Sequence, residues 1–323
     1  MLAFTIRRLL VSIPILVLST FLVFMLVAWG ADPLGDFKSR NPPPSPVEIA
    51  AREHQLGLDH PLLVQYWNWI RNLLVHGYFG PSVQGSAFDI NAELARRTWV
   101  TFRLVICAIL IALILAVIVG VVSAVKQYSV TDYVATLIGF FFLSLPVFWF
   151  AILLKIWATD INYYTGLHIF DTLGPPGGQW GGIGSWFGFL VLPTITLALS
   201  SYATWARFQR ASMLDVLGSD YMRLARAKGL SPRRVMVRHG LRTALIPMTT
   251  QVTLDVAAIM GGTVITEQIF QWQGLGTMFI NGIRTQDTNT VLAWLLISAT
   301  LVIVFNLIAD LLYAVLDPRI RLA

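Results

Sequence analysis

Residues 9–30, LLVSIPILVLSTFLVFMLVAWG, run for 22 positions without a charge. As a helix rising ~1.5 Å per residue this run would be ~33 Å long, enough to cross a hydrocarbon core of ~30 Å. Five further runs have similar length, at 104–125, 133–154, 187–206, 243–266 and 288–309, and only Asp255 interrupts their neutrality. The pattern predicts an all-α integral membrane protein with six transmembrane helices. Composition agrees: 12% of residues are charged and 56% are hydrophobic, where soluble domains carry roughly 25% charged residues. The net charge of +6 therefore reads as membrane sidedness and not as affinity for nucleic acid. Arg7 and Arg8 precede the first run and Ala28-Trp29-Gly30 would suit signal cleavage. Signal cores are only ~7–15 residues long, however, so the run is read as a retained span.

The loops divide the chain into a head with its first span (1–30), an extracytoplasmic segment (31–98) and a core of five spans (99–323). In the middle segment, Pro42, Pro43, Pro44 and Pro46 mark an extended linker, and Ser45 is placed to cap a helix opening at Pro46. Tyr66, Trp67 and Trp69 suit either a membrane interface or the core of a small subdomain. With the N-terminus inside, fourteen of the 23 Lys and Arg fall in the head, the 126–132 loop, the 207–242 loop and the tail. The positive-inside rule then places both termini in the cytoplasm, in a multi-pass protein of the cytoplasmic (inner) membrane.

The densest basic region is 207–242, RFQRASMLDVLGSDYMRLARAKGLSPRRVMVRHGLR, with nine basic residues against Asp215 and Asp220. Ser219 or Asp220 can cap a short helix over 220–228 and Gly229 can stop it. Ser231-Pro232 fits the start of a second helix, expected to run through Val235, Val237 and Leu241 and to break at Pro247. A basic loop can simply hold anionic lipid. A short helix, a glycine and a second helix held near the membrane instead suit docking into a groove on a partner.

No GxxxxGK[ST], GxSxG or HExxH motif occurs in the sequence, and the five histidines have no metal-ligand spacing. The chain is expected to be non-catalytic, with no cofactor of its own. Cys107 is the one cysteine and lies in an apolar run, so no internal disulfide can form. Asp255 lies mid-span, where a charge costs at least ~2.5–3.5 kcal/mol unless it meets protein or water. It reads as a tie to a neighbouring helix, or as the ion site of a proton-coupled carrier. Asn306 and Asp310 are four apart and share a helix face as a second intramembrane polar pair.

The 220–231 segment resembles the cytoplasmic "EAA" loop of ABC-importer permeases. Aligned on Gly229, the usual Glu position holds Arg223, followed by Leu224 and Ala225. Asp220-Tyr221, the run Ala225-Arg226-Ala227-Lys228-Gly229-Leu230-Ser231, then His239, Leu241-Arg242 and Ile246-Pro247 are similar to the dipeptide/oligopeptide branch. So are Gly57-Leu58-Asp59 with Gln65 and Tyr66, Phe79-Gly80 with Ser82, and Ser144-Leu145-Pro146-Val147-Phe148. Gly274-Leu275-Gly276 with Asp287, and Asp317-Pro318-Arg319-Ile320-Arg321 in the tail, extend the likeness to the B-type permease subunit over nearly the whole chain.

The resemblance implies a type I ABC importer permease fold and a pathway for dipeptides or oligopeptides. Its implied partners are a second homologous permease, two cytoplasmic ATP-binding subunits that hold ATP and Mg, an extracytoplasmic substrate-binding protein and the lipid bilayer. Nickel, glutathione or another small solute is the alternative cargo. Asp220, Tyr221, Arg223, Ala225, Arg226, Ala227, Lys228, Gly229 and Leu230 become the ATPase-coupling segment. Within it Ala225 and Ala227 would allow close approach, and Arg223, Arg226 and Lys228 would contact the ATPase.

Overall fold

A computed structural model describes residues 2–30, 32–174 and 183–316. The tail motif at 317–321 and most of the Gly/Pro/Trp-rich loop expected near 174–186 lie outside the described residues, as does the side chain of Asp310. The described residues form helices α1 (Leu2–Gly30), α2 (Gly35–Lys38), α3 (Pro46–Leu56), α4 (Leu62–His76), α5 (Ile90–Val125), α6 (Val130–Ser144) and α7 (Val147–Thr165). They continue with α8 (Ile183–Leu217), α9 (Asp220–Ala227), α10 (Pro232–Arg234), a π-helical segment Val235–Leu241, α11 (Arg242–Ile269), α12 (Leu275–Arg284) and α13 (Thr288–Leu316). Among the described residues five helices are long and apolar enough to cross a membrane, and the α6–α7 pair makes six when taken as one span.

Two expectations are corrected. The run 133–154 is not one straight helix: α6 ends at Ser144 and α7 opens at Val147, with a bend of 104° between them. The cause is Pro146, whose ring drives the preceding residue out of helical geometry. Leu145 accordingly lies at φ −84°, ψ 124°. Pro247, in contrast, breaks nothing. It lies inside α11, and one helical stretch runs from Pro232 to Ile269. The irregular turn is upstream, in the π segment Val235–Leu241, and membrane helices tolerate an internal proline where other groups satisfy the freed carbonyl.

The chain separates into two compact units. The first comprises Met1–Thr101 and Gln273–Leu301. Its core is aromatic: Phe24 of α1, Tyr66 and Trp69 of α4, and Phe79 are buried together with Ile90, Leu275, Met278 and Leu292. Tyr66 Oη donates to the Val17 carbonyl at 2.8 Å and lies 3.0 Å from Thr20 Oγ1, fixing α4 against α1. Trp69 Nε1 donates to the Phe79 carbonyl at 3.0 Å. Trp67 points the other way and is 64% exposed, so the three aromatics divide between core and surface. Asp287 is buried and accepts from Ser82 Oγ at 2.5 Å, the Val83 amide at 3.3 Å and Thr290 Oγ1 at 2.9 Å, tying the loop after α4 to the start of α13.

Helix α3 starts where Ser45 was expected to start it. Ser45 Oγ accepts from the Glu48 amide at 3.3 Å while Glu48 Oε2 accepts from the Ser45 amide at 2.7 Å, a reciprocal capping box. The Ser45 amide, and after it the Ser45 hydroxyl, hold the Glu48 carboxyl below the usual glutamate range. A lowered folded-state pKa contributes stability above the ordinary glutamate pKa and loses it as pH falls through the folded value. We therefore expect the first turn of α3 to exchange its amide hydrogens faster below the ordinary glutamate pKa than at neutral pH, relative to intrinsic rates. Glu48→Gln, which removes the titrating group, should abolish that contrast, and Ser45→Ala, which keeps the backbone amide, should only reduce it, as hydrogen-exchange mass spectrometry would read.

The second unit comprises Phe102–Trp272 and Val302–Ala323. Within it α8 is the central helix, packed against α6, α7 and α11. Trp205, Met213 and Gln209 of α8 are fully buried.

Candidate functional site

Helix α9 is an eight-residue amphipathic helix whose own sequence decides which way it faces. Met222 and Ala225, three apart, are its two buried positions, and residues three apart share a helix face. They join an apolar cluster with Ala124 of α5, Met213 and Val216 of α8, Val235 of the π segment and Ala244 of α11. Leu230 packs half-buried against the same cluster. The opposite face is open: Asp220, Tyr221, Arg223, Arg226, Ala227, Lys228 and Gly229 are exposed. Arg223 and Asp220 pair only loosely, at 3.5 Å and on well-exposed side chains.

Ala225 is therefore corrected: it faces this chain's own core and leaves no surface for a partner. Its small size suits the packing of α9 against the π segment, whereas Ala227 stays on the outer face. Ser219 is the N-cap by backbone geometry, but its side chain makes no capping bond to the helix; its hydroxyl donates back to the Val216 carbonyl at 2.5 Å. Lys228 is the C-cap residue and Gly229 follows at φ +76°. This left-handed conformation is cheap only for glycine and a few polar residues, and it closes helices in this way. Ser231 and Pro232 then open α10 as expected, with Pro232 in the first turn.

The intramembrane candidates separate. Asp255 on α11 accepts from Trp205 Nε1 of α8 at 2.6 Å and from Gln251 Nε2, one turn earlier, at 3.1 Å. Both carboxylate oxygens are engaged, so the residue is a helix-to-helix tie. Asn306 is half-buried on α13, and its carbonyl oxygen has no hydrogen-bond partner among the described residues. If the tie is the role of Asp255, Asp255→Asn keeps an acceptor for Trp205. In an importer of the kind the resemblance implies, ATP-driven uptake should then stay within about fivefold of wild type, the factor equivalent to the ~1 kcal/mol net worth of one hydrogen bond. Complete loss of uptake in a reconstituted assay would instead make Asp255 an ion site.

Several polar ties were missed in the sequence. Lys155, just past the apolar run 133–154, lies within α7 and donates to the Ile269 carbonyl at 2.8 Å. That carbonyl ends α11, where the helix dipole favours a cation. Asp132 and Arg210 form a bidentate pair at 2.7 Å and 2.7 Å. The available signal was two opposite charges at the margins of apolar runs, since charges there seldom go unpaired. In the first unit a cavity of about 610 Å³ is lined by both signs of charge, including Lys38, Arg71, Glu53 and Asp287. No single charge class of ligand is selected by that lining.

Residues 116–322 match the family described as binding-protein-dependent transport system inner membrane component, and residues 1–91 match the N-terminal region of the same class of membrane components. The oligopeptide transport system permease protein OppB of Mycobacterium bovis is 41% identical over 322 residues, covering 98% of this chain and 98% of that protein. The dipeptide transport system permease protein DppB of Escherichia coli K12 is 35% identical over 344 residues, covering 99% of each. Among solved structures, the MetNI methionine ABC transporter superposes with a TM-score of 0.53 at 17% identity, over 69% of this chain and 96% of that one; that likeness bears on fold. The chain belongs to the family of binding-protein-dependent transport system inner membrane components.

Proposed function

We propose that the chain is the B-type permease subunit of an ATP-driven importer and forms half of a path that carries dipeptides or oligopeptides inward. Family membership supports the transport role, and the relatives named for oligopeptide and dipeptide transport support peptides as cargo. In this reading both termini and the 207–242 region face the cytoplasm. A second permease completes the path, two ATP-binding subunits hold ATP and Mg, and an external binding protein delivers substrate. The permease itself catalyses nothing.

One observation carries the coupling role. Helix α9 is anchored by Met222 and Ala225 while its other face, bearing Tyr221, Arg223, Arg226 and Lys228, is left open. A short helix fixed on one side and free on the other can seat in a partner's groove and pass on its motion. Alternating access follows if the two states of the ATPase pair bind the two permease conformations with different free energies. Affinity purification of the subunit from detergent, with identification of what travels with it, tests this reading. We expect two ATP-binding subunits and a second permease. Recovery of the subunit alone, under conditions that keep other membrane complexes intact, would count against it.

A further inference from the structure

The proposal concerns Asp132, which lies in the first turn of α6 and is almost fully buried, its side chain 4% exposed. A carboxylate offers about four acceptor positions, and here four donors fill them. Arg210 of α8 donates through Nε to Oδ1 and through Nη2 to Oδ2, each at 2.7 Å. The Tyr128 amide donates to Oδ2 at 3.0 Å, and Ser123 Oγ of α5 donates to Oδ1. Tyr128 itself stands at φ +62°, a conformation a non-glycine residue holds only when its surroundings impose it. One carboxylate therefore joins three pieces of chain: the end of α5, the turn into α6, and α8.

The place of this clasp along α8 gives it meaning. Arg210 lies seven residues before Leu217, the last residue of α8, and only Gly218 and Ser219 separate Leu217 from α9. Seven helical residues span ~10 Å without a break, so a displacement of α9 that passes through this two-residue turn reaches Arg210 along a rigid rod. The buried residues of α9, Met222 and Ala225, belong to a wholly apolar cluster of methionine, alanine and valine side chains. Such contacts are non-directional and can slide, whereas a bidentate arginine–carboxylate pair fixes angle and register. Just above, α5 and α8 approach so closely that a Cβ on Gly120 would come within 2.8 Å of the Ala206 carbonyl oxygen and of Gln209 Cβ.

We propose that Arg210 and Asp132 are positioning residues for transport: they convert movement of α9 into movement of the α5–α6 hairpin. This rests on the importer reading above. If it holds, breaking the clasp uncouples the machine. The ATPases still turn over, and α8 still moves, but the hairpin no longer follows.

The test uses the whole complex, with its binding protein, in proteoliposomes, and reads peptide taken up per ATP hydrolysed. Breaking one partner strands a buried charge, whereas replacing both partners with apolar side chains of similar size is often tolerated. The double variant Asp132→Leu with Arg210→Met is therefore the primary probe. Uptake per ATP should fall by about tenfold, within the ~5–150-fold span usual for coupling between sites, with ATP hydrolysis retained. Arg210→Lys keeps the charge but loses the fork, and should give an intermediate ratio. It decides the matter if the double variant fails to assemble. An unchanged ratio overturns the proposal, and so does a parallel fall of uptake and hydrolysis, which would mark a purely structural clasp. Absence of ATP-driven uptake in the wild-type complex would instead overturn the importer reading, and the clasp's role with it.

Discussion

Gly229→Trp should abolish ATP-driven uptake while the subunit still inserts and retains its helices, whereas Gly229→Asn should keep most of the uptake. The pair of variants separates two properties of one residue. Gly229 needs a left-handed backbone, φ +76°, which asparagine tolerates far better than other residues do. Tryptophan pays that conformational penalty as well, roughly 1–2 kcal/mol, too little to unfold a chain held by its apolar core. Within the chain a Cβ built at Gly229 has open space around it, with no atom within 4 Å. Complete loss with tryptophan would therefore report bulk on the surface proposed to dock a partner. Reconstituted uptake at wild-type rate in Gly229→Trp would show that nothing docks on that surface.

The second large effect is on stability. Trp69→Ala should destabilise the first unit by about 3–5 kcal/mol, the usual result of deleting a large buried aromatic. Trp69 is only 6% exposed, stacks on Tyr66 with ring centroids 6.1 Å apart, and satisfies the Phe79 carbonyl. Trp67, two residues earlier, makes a control: at 64% exposed its replacement by alanine should shift stability by no more than about 0.5 kcal/mol. Thermal unfolding of the detergent-purified subunit, followed by tryptophan fluorescence and limited proteolysis of residues 31–101, separates the two. Equal shifts for both variants would contradict the packing described for α4.

Periodicity and punctuation made some of this legible in advance. The uncharged runs located the membrane helices because lipid imposes a minimum apolar length. Their ends were read poorly: α5 begins at Ile90, fourteen residues before its apolar run, and α8 continues to Leu217, eleven beyond its run. Helical hydrogen bonding does not stop where lipid stops. At the start of α5, Glu93 accepts from Arg97 at 2.6 Å, an i,i+4 pair that supports the polar first turns.

Helix α9 was legible almost to the residue, because Ser219, Gly229, Ser231 and Pro232 are local signals with local causes. What stayed hidden was tertiary. Asp132 pairs with a residue 78 positions away, and Asp255 with one 50 positions away. Spacing along one helix cannot reveal such partners. Equally, the sequence marked Ala225 as small without telling whether its own chain or another would use the space.

Uptake of a labelled oligopeptide into proteoliposomes bearing the co-purified complex and its binding protein addresses the central claim most directly. Uptake should require internal or external ATP on the side of α9, should stop when ATP is replaced by a non-hydrolysable analogue, and should persist when the proton gradient is collapsed. Accumulation of peptide by this chain alone, driven by a proton gradient and without ATP, would contradict the assignment.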